Sequence, residues 1–136
     1  MALTQLHIYN VRNLREVKLQ ELGDINVFSG RNGSGKTSVL EAIHILGLGR
    51  SFRGSSAKAL ITHGQQQCTV FGQGAVSLGV RRLATGESQI KVAGQLASSI
   101  TELVGHLPVQ VINADSFDLL VGSPRARRQY LDWGVF

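Results

Sequence analysis

The stretch Phe28-Ser29-Gly30-Arg31-Asn32-Gly33-Ser34-Gly35-Lys36-Thr37-Ser38-Val39-Leu40-Glu41-Ala42-Ile43 decides the reading of this 136-residue chain. It joins a short apolar run, Ile25-Asn26-Val27-Phe28, to an amphipathic segment through a glycine-rich octet. A loop between a strand and a helix N-terminus aims several backbone N–H groups at one point, which suits a ligand with clustered anionic oxygens. Glycines at 30, 33 and 35 permit positive φ, so that the N–H groups of Asn32 to Lys36 can turn inward. Lys36 adds a mobile positive charge for the β- and γ-phosphates, and the Thr37 hydroxyl can ligate magnesium. Gly30, Arg31, Asn32, Gly33, Ser34, Gly35, Lys36 and Thr37 therefore form a candidate P-loop for ATP with Mg²⁺, Thr37 being the metal-binding residue. The competing reading, a glycine-rich loop that happens to carry Lys-Thr, does not explain the strand before it and the helix after it.

Outward from the loop, Val39, Leu40, Ile43 and Leu46 fall on one helical face, and Gly47 and Gly49 close the helix. Toward the N-terminus, Leu3 to Tyr9 and Val17 to Leu19 alternate as strands around a turn at Arg12-Asn13, which predicts an antiparallel pair. After the P-loop helix, Ser51 to Ser56 has no period and reads as a loop. Cys68 and Val70, then Val76, Leu78 and Val80, then Ile90 and Val92 after the turn Thr85-Gly86-Glu87, predict an antiparallel β meander. Leu96, Ile100, Leu103 and Leu107 predict a helix stopped by Pro108, and Val109-Gln110-Val111-Ile112 a short strand. Ser123-Pro124 reads as an N-cap and first helical residue. In the helix that follows, Ala126, Tyr130 and Trp133 are expected to face the core and Arg128 to pair with Asp132. The expected fold class is α/β, a mixed sheet with an antiparallel meander. The chain ends at Phe136 without a cap or polar tail, and the expectation is that more sequence follows.

Hydrolysis needs an acid at the end of a neighbouring strand to hold magnesium. Only Asp115, at the end of the run from Val109, is a candidate, and Asn113 and Ala114 interrupt that run. The expectation is a core strand leaving into a loop, with the true magnesium-binding acid missing from these residues and the catalytic residues unassigned.

Composition sets the outer bounds. With 43% hydrophobic and 17% charged residues the chain can bury one core. A net charge of +5 favours polyanionic partners such as nucleic acid, or else simply a solvated basic surface. The single cysteine, Cys68, excludes an internal disulfide and has no second thiol for a zinc site, which fits a reducing cytoplasm. No apolar stretch is long enough to span a bilayer, so no membrane role is expected.

Tyr9-Asn10-Val11-Arg12-Asn13-Leu14 together with the P-loop stretch resembles the ATPase heads of the SMC and ABC superfamily. Gly49-Arg50-Ser51-Phe52-Arg53 and the segment Gly122-Ser123-Pro124 through Trp133-Gly134 look more narrowly like the RecF family of bacterial DNA replication and repair proteins. The resemblance implies an ATP-dependent DNA-binding protein of DNA damage repair and the SOS response. Such a protein would form an ATP-dependent homodimer and act with recombination mediator proteins on gapped or single-stranded DNA. It implies a slow ATPase as well, whose helical arm, signature sequence and acid-bearing strand do not occur among these residues. Ala114 stands where the family usually has proline, a departure that bears on the loop from Asn113 to Asp118.

By the same resemblance Arg12 and Asn13 match a position from which related heads touch the nucleotide. A guanidinium beside a strand end can also pair with phosphate or stack on a base in its own right, and a solvated turn is the alternative. Gln110 and Asp115 are weaker candidates for sensing water or magnesium. Among the remaining cations, Arg50, Arg53 and Lys58 share one loop and Arg81 and Arg82 one hairpin. Backbone phosphates need clustered cations and little else, which makes these five candidate DNA or dimer contacts. Arg125, Arg127 and Arg128 lie on the last helix, where Arg127 and Arg128 read instead as structural, since Asp132 can pair with one of them.

Two rival functions differ in class. A small-molecule kinase shares the P-loop but continues into a parallel βαβ core, whereas a meander follows here. A nucleotide-binding module without catalysis describes these 136 residues taken alone.

Overall fold

A computed structural model describes residues 2–133. Alternating apolar residues build β1 (Gln5–Val11), whose Leu6 and Ile8 are buried on one face, and β2 (Leu14–Leu19), paired antiparallel through the Arg12-Asn13 turn. The meander comprises β3 (Gln67–Gln73), β4 (Ser77–Leu83) and β5 (Ser88–Val92), and β6 (Gln95–Leu96) ends the sheet in the order β2-β1-β3-β4-β5-β6. Register places Ile8 opposite Val70, Val70 opposite Val80, and Val80 opposite Ile90, a single apolar row across four strands.

Helix α1 (Lys36–Leu48) covers that row, packing on β1, β3 and β4. Its buried face carries Val39, Ala42, Ile45 and Leu46, while Leu40, expected on the same face, is half exposed. Gly47 lies inside the helix rather than closing it, because Val109 and the carbonyl of Leu107 come too near for a larger side chain. The helix ends at Gly49, whose N–H bonds to the Ile45 carbonyl.

A single turn, α2 (Ala57–Leu60), follows the loop, and α3 (Thr101–His106) packs on α1 through Leu103 and Leu107. The helix expected from Leu96 starts only at Thr101. Leu96 pairs with Lys91 instead, since Ala93 and Gly94, at φ 51° and 80°, form a two-residue hairpin turn.

All ladders among the described residues are antiparallel, so the parallel part of the expected mixed sheet is not formed there. The reason lies in two segments without a ladder. Ile25 and Val27 are 88% and 85% exposed and Ile112 is 84% exposed, so neither Ile25–Phe28 nor Val109–Ile112 finds a strand partner.

A 3₁₀ turn at Ala114–Phe117 leads into α4 (Asp118–Val121) and α5 (Pro124–Trp133), which begins at Pro124 as its sequence predicts. Of the residues expected to face the core from α5, Ala126 is half-buried and Tyr130 is exposed, and the Trp133 side chain lies outside the described part. Arg128 Nε donates to the Pro124 carbonyl one turn back at 3.4 Å, with no ion pair to Asp132.

Candidate nucleotide site

The loop enters α1 through Gly33 and Gly35, at φ 80° and 100°, conformations that disfavour any residue with a Cβ. Lys36 folds back over the loop. Its Nζ donates to the carbonyls of Gly30 at 2.7 Å and Arg31 at 2.8 Å and lies 3.5 Å from Ser34 Oγ. The loop thus already encircles a cationic group, in the place where phosphate oxygens have to meet one.

Asn32, Gly33, Gly35, Lys36 and Thr37 line a cavity of ≈ 520 Å³, completed by Ser38, Arg12, Asn13 and Arg53. Its described lining offers amides, hydroxyls and three cations and no carboxylate. These donors fit a triphosphate, and the exposed Thr37 hydroxyl fits magnesium held mainly by phosphate and water. Among the described residues no His, Cys, Asp and Glu cluster could hold a metal unaided. Gln110 and Asp115 are not part of the lining; Asp115 is exposed and accepts a long hydrogen bond from Asn113.

Arg12 and Asn13 approach the loop from the β1–β2 turn. Arg12 has φ 53°, a strained conformation for a non-glycine residue, and several bonds hold it there. Its N–H donates to the Leu60 carbonyl at 2.7 Å, its carbonyl accepts from Thr62 Oγ1, and its Nη1 donates to the Ala59 carbonyl. Its other guanidinium nitrogens grip Glu41, Nε to Oε2 at 3.0 Å and Nη2 to Oε1 at 2.8 Å. Asn13 Nδ2 donates to the Gly33 carbonyl, and its Oδ1 accepts from buried Ser38.

Glu41 is the residue that sequence reasoning missed. Its side chain is fully buried, and besides Arg12 it accepts from Ser51 Oγ and faces Arg53 Nη1 at 3.6 Å. Burial pushes its carboxyl up, but the hydrogen bonds from Arg12 and Ser51 and the charges of Arg12 and Arg53 outweigh it and leave the group below the usual carboxylate range. A signal was present: an acid at the fifth residue after Lys36, one position before Ala42 on the apolar stripe, needs a cation inside the fold.

The five candidate DNA or dimer contacts separate. Arg53 turns to Glu41 and the P-loop cavity. Arg50 is exposed, and its carbonyl accepts from His44 Nδ1 at 2.6 Å, so that nitrogen carries the proton. Burial holds His44 below its ordinary range, which keeps it neutral. Arg82, read as a DNA or dimer contact, continues the inward face of Leu78 and Val80 and donates to the Gly49 carbonyl at 2.8 Å. Lys58 and Arg81 remain exposed.

The model of the RecF/RecN/SMC N-terminal domain matches residues 2–117. The chain belongs to this family. Curated DNA replication and repair proteins RecF from Pseudomonas entomophila and Pseudomonas syringae are 52% identical over the whole chain. The chain spans 39% of their length. Among solved structures, the recombination mediator RecF of the RecFOR pathway in its ATP form is 30% identical, with a TM-score of 0.84 over 96% of this chain and 38% of that one. An SMC ATPase structure matches at 20% identity and a TM-score of 0.77 over 98% of this chain and 99% of that one, a likeness of fold. In fold class the chain is thus an α/β ATPase head of RecF and SMC type, in part. No helix among the described residues is long and apolar enough to cross a membrane.

Proposed function

We propose that this chain is the nucleotide-binding part of a RecF-like ATPase head, holding ATP and Mg²⁺ at Gly30–Thr37 and serving DNA replication and recombinational repair. The observation that carries it is Lys36 Nζ seated on the Gly30 and Arg31 carbonyls inside a loop whose glycines keep the approach open. Incoming phosphate oxygens would replace those carbonyls as partners of Lys36, loop amides would cradle them, and Thr37 would reach the metal. The ATP form of the related RecF supports the cofactor.

The lining has no carboxylate among the described residues, so the acid and the water-orienting group for hydrolysis come from outside it. These residues then bind without turning over. In the complete protein, ATP binding closes a homodimer over gapped or single-stranded DNA, with recombination mediator proteins as partners and the cytoplasm as the compartment. The helical arm, signature sequence and acid-bearing strand belong to that larger protein, and their strands would cover Ile25, Val27 and Ile112. Exposed Arg50, Lys58 and Arg81 are the backbone-phosphate contacts.

Titration with Mg-ATP, by calorimetry, tests the reading. Micromolar binding that Lys36→Ala weakens at least about a hundredfold is the expected result, since the substitution removes the charge at the phosphates. Unchanged affinity in Lys36→Ala would overturn it.

A further inference from the structure

A buried carboxylate survives only where donors replace its water, and Glu41 collects them from two segments remote from its own helix turn. Arg12 arrives from the β1–β2 turn with a two-point grip, Ser51 and Arg53 from the loop after α1, and the carboxylate itself stands on the helix that the P-loop opens. Both arginines also line the P-loop cavity. Neither is placed there by its own segment: Arg12 occupies a strained turn, and Arg53 rides an exposed loop of serines and glycine with its side chain 43% exposed.

We propose that Glu41 is the positioning residue of the nucleotide site, a buried anchor that presents Arg12 and Arg53 together to the phosphates. The proposal rests on the triphosphate reading of the loop. The two grips differ in kind. Arg12 is held at 2.8 and 3.0 Å through two nitrogens, a paired geometry that persists when an anion enters the cavity. Arg53 makes one longer contact at 3.6 Å and is free to pivot onto an incoming phosphate while staying within reach of its anchor. Ser51 fixes the pivot: its Oγ donates to Glu41 and accepts the Arg53 N–H at 2.9 Å. Without the anchor Arg53 would start from solvent, and ordering such a side chain on binding weakens affinity by up to about tenfold.

The experiment is calorimetric titration of the chain with Mg-ATP for wild type, Glu41→Gln, Arg53→Ala, the double variant and Lys36→Ala, with circular dichroism confirming the fold. Glu41→Gln and Arg53→Ala should each bind about tenfold more weakly. The double variant should bind no more weakly than Glu41→Gln alone, because Glu41 acts on the phosphates through the two arginines and Arg53 is then already removed. Full additivity of the two losses, or wild-type affinity in Glu41→Gln, would overturn the proposal. If Glu41→Gln does not fold, Ser51→Ala replaces it, with a smaller loss that must likewise vanish on the Arg53→Ala background. An unchanged affinity in Lys36→Ala strikes at the triphosphate reading itself, which separates the two failures.

Discussion

The side-chain amide of Asn13 donates to the Gly33 carbonyl across 2.9 Å, fastening the β1–β2 turn to the tip of the P-loop. The same side chain accepts from Ser38 Oγ, buried in the first turn of α1, so one residue holds both ends of the loop's exit. Asn13→Ala is expected to lower unfolding free energy by about 1 kcal/mol, the worth of a bond to a buried hydroxyl left without its partner. Urea unfolding measures that loss. Nucleotide affinity should fall in the same variant, because the loop loses its brace.

Two loop glycines are expected to differ in sensitivity. Gly33 takes φ 80° with nothing near a prospective Cβ, so Gly33→Ala meets backbone strain alone, about 1–2 kcal/mol. At Gly35, φ 100°, a Cβ would also collide with Leu14 and crowd Asn13. Gly35→Ala should therefore lower the melting temperature more than Gly33→Ala. Equal melting temperatures would show that the Leu14 contact yields freely.

Signals confined to a few neighbouring residues were legible in the sequence. The glycine spacing gave the loop, strict alternation around Arg12-Asn13 and Thr85-Gly86-Glu87 gave the hairpins, and Ser123-Pro124 gave the start of α5. What depended on distant partners was not legible. Ile25–Phe28 and Val109–Ile112 have the composition of strands, yet a strand exists only with a ladder, and none forms on them among the described residues. Leu96 and Ile100 share a helical period with Leu103, but Ser98 and Ser99 intervene: Ser99 Oγ accepts the Thr101 N–H and starts the helix there. Glu41 was visible as an acid on an apolar stripe. That its partners would be Arg12 and Arg53, 29 and 12 residues away, depended on the fold.

The buried Glu41 carboxylate should govern the acid limb of stability. Its pKa in the fold is lowered from the ordinary 4.5, so its contribution is complete above that value and disappears as pH falls through the folded pKa. Wild type should lose stability steeply in that acid window. Glu41→Gln should be less stable at pH 7 yet show a flatter acid limb, which chemical unfolding at stepped pH measures. Parallel limbs would mean that the carboxyl is not held low.

Gly47 reverses a common rule. Inside a helix, glycine to alanine usually gains up to about 1 kcal/mol. Here Val109 and the Leu107 carbonyl occupy the space a methyl would take. Gly47→Ala should instead destabilise by about 1–3 kcal/mol, the usual result of overfilling a close contact. A thermal melt that rises would show that the 107–109 segment moves aside.

Arg81 and Arg82 are neighbours on β4 with opposite fates, because successive side chains of a strand point to opposite faces. Arg82 follows Leu78 and Val80 onto the core face and reaches the Gly49 carbonyl at the end of α1, whereas Arg81 stands exposed between Thr69 and Gln89 on the flanking strands. Arg82→Ala should cost stability, about 1–2 kcal/mol for a charged hydrogen bond to a helix terminus. Arg81→Ala should leave unfolding unchanged and weaken binding of a fluorescent single-stranded oligonucleotide, with a shallower dependence on salt for the phosphate contact removed. The two readouts must separate between the two variants. Loss of oligonucleotide binding in a stable Arg82→Ala protein would place the nucleic-acid face on the side of the sheet that carries α1, and not on the side that carries Arg81.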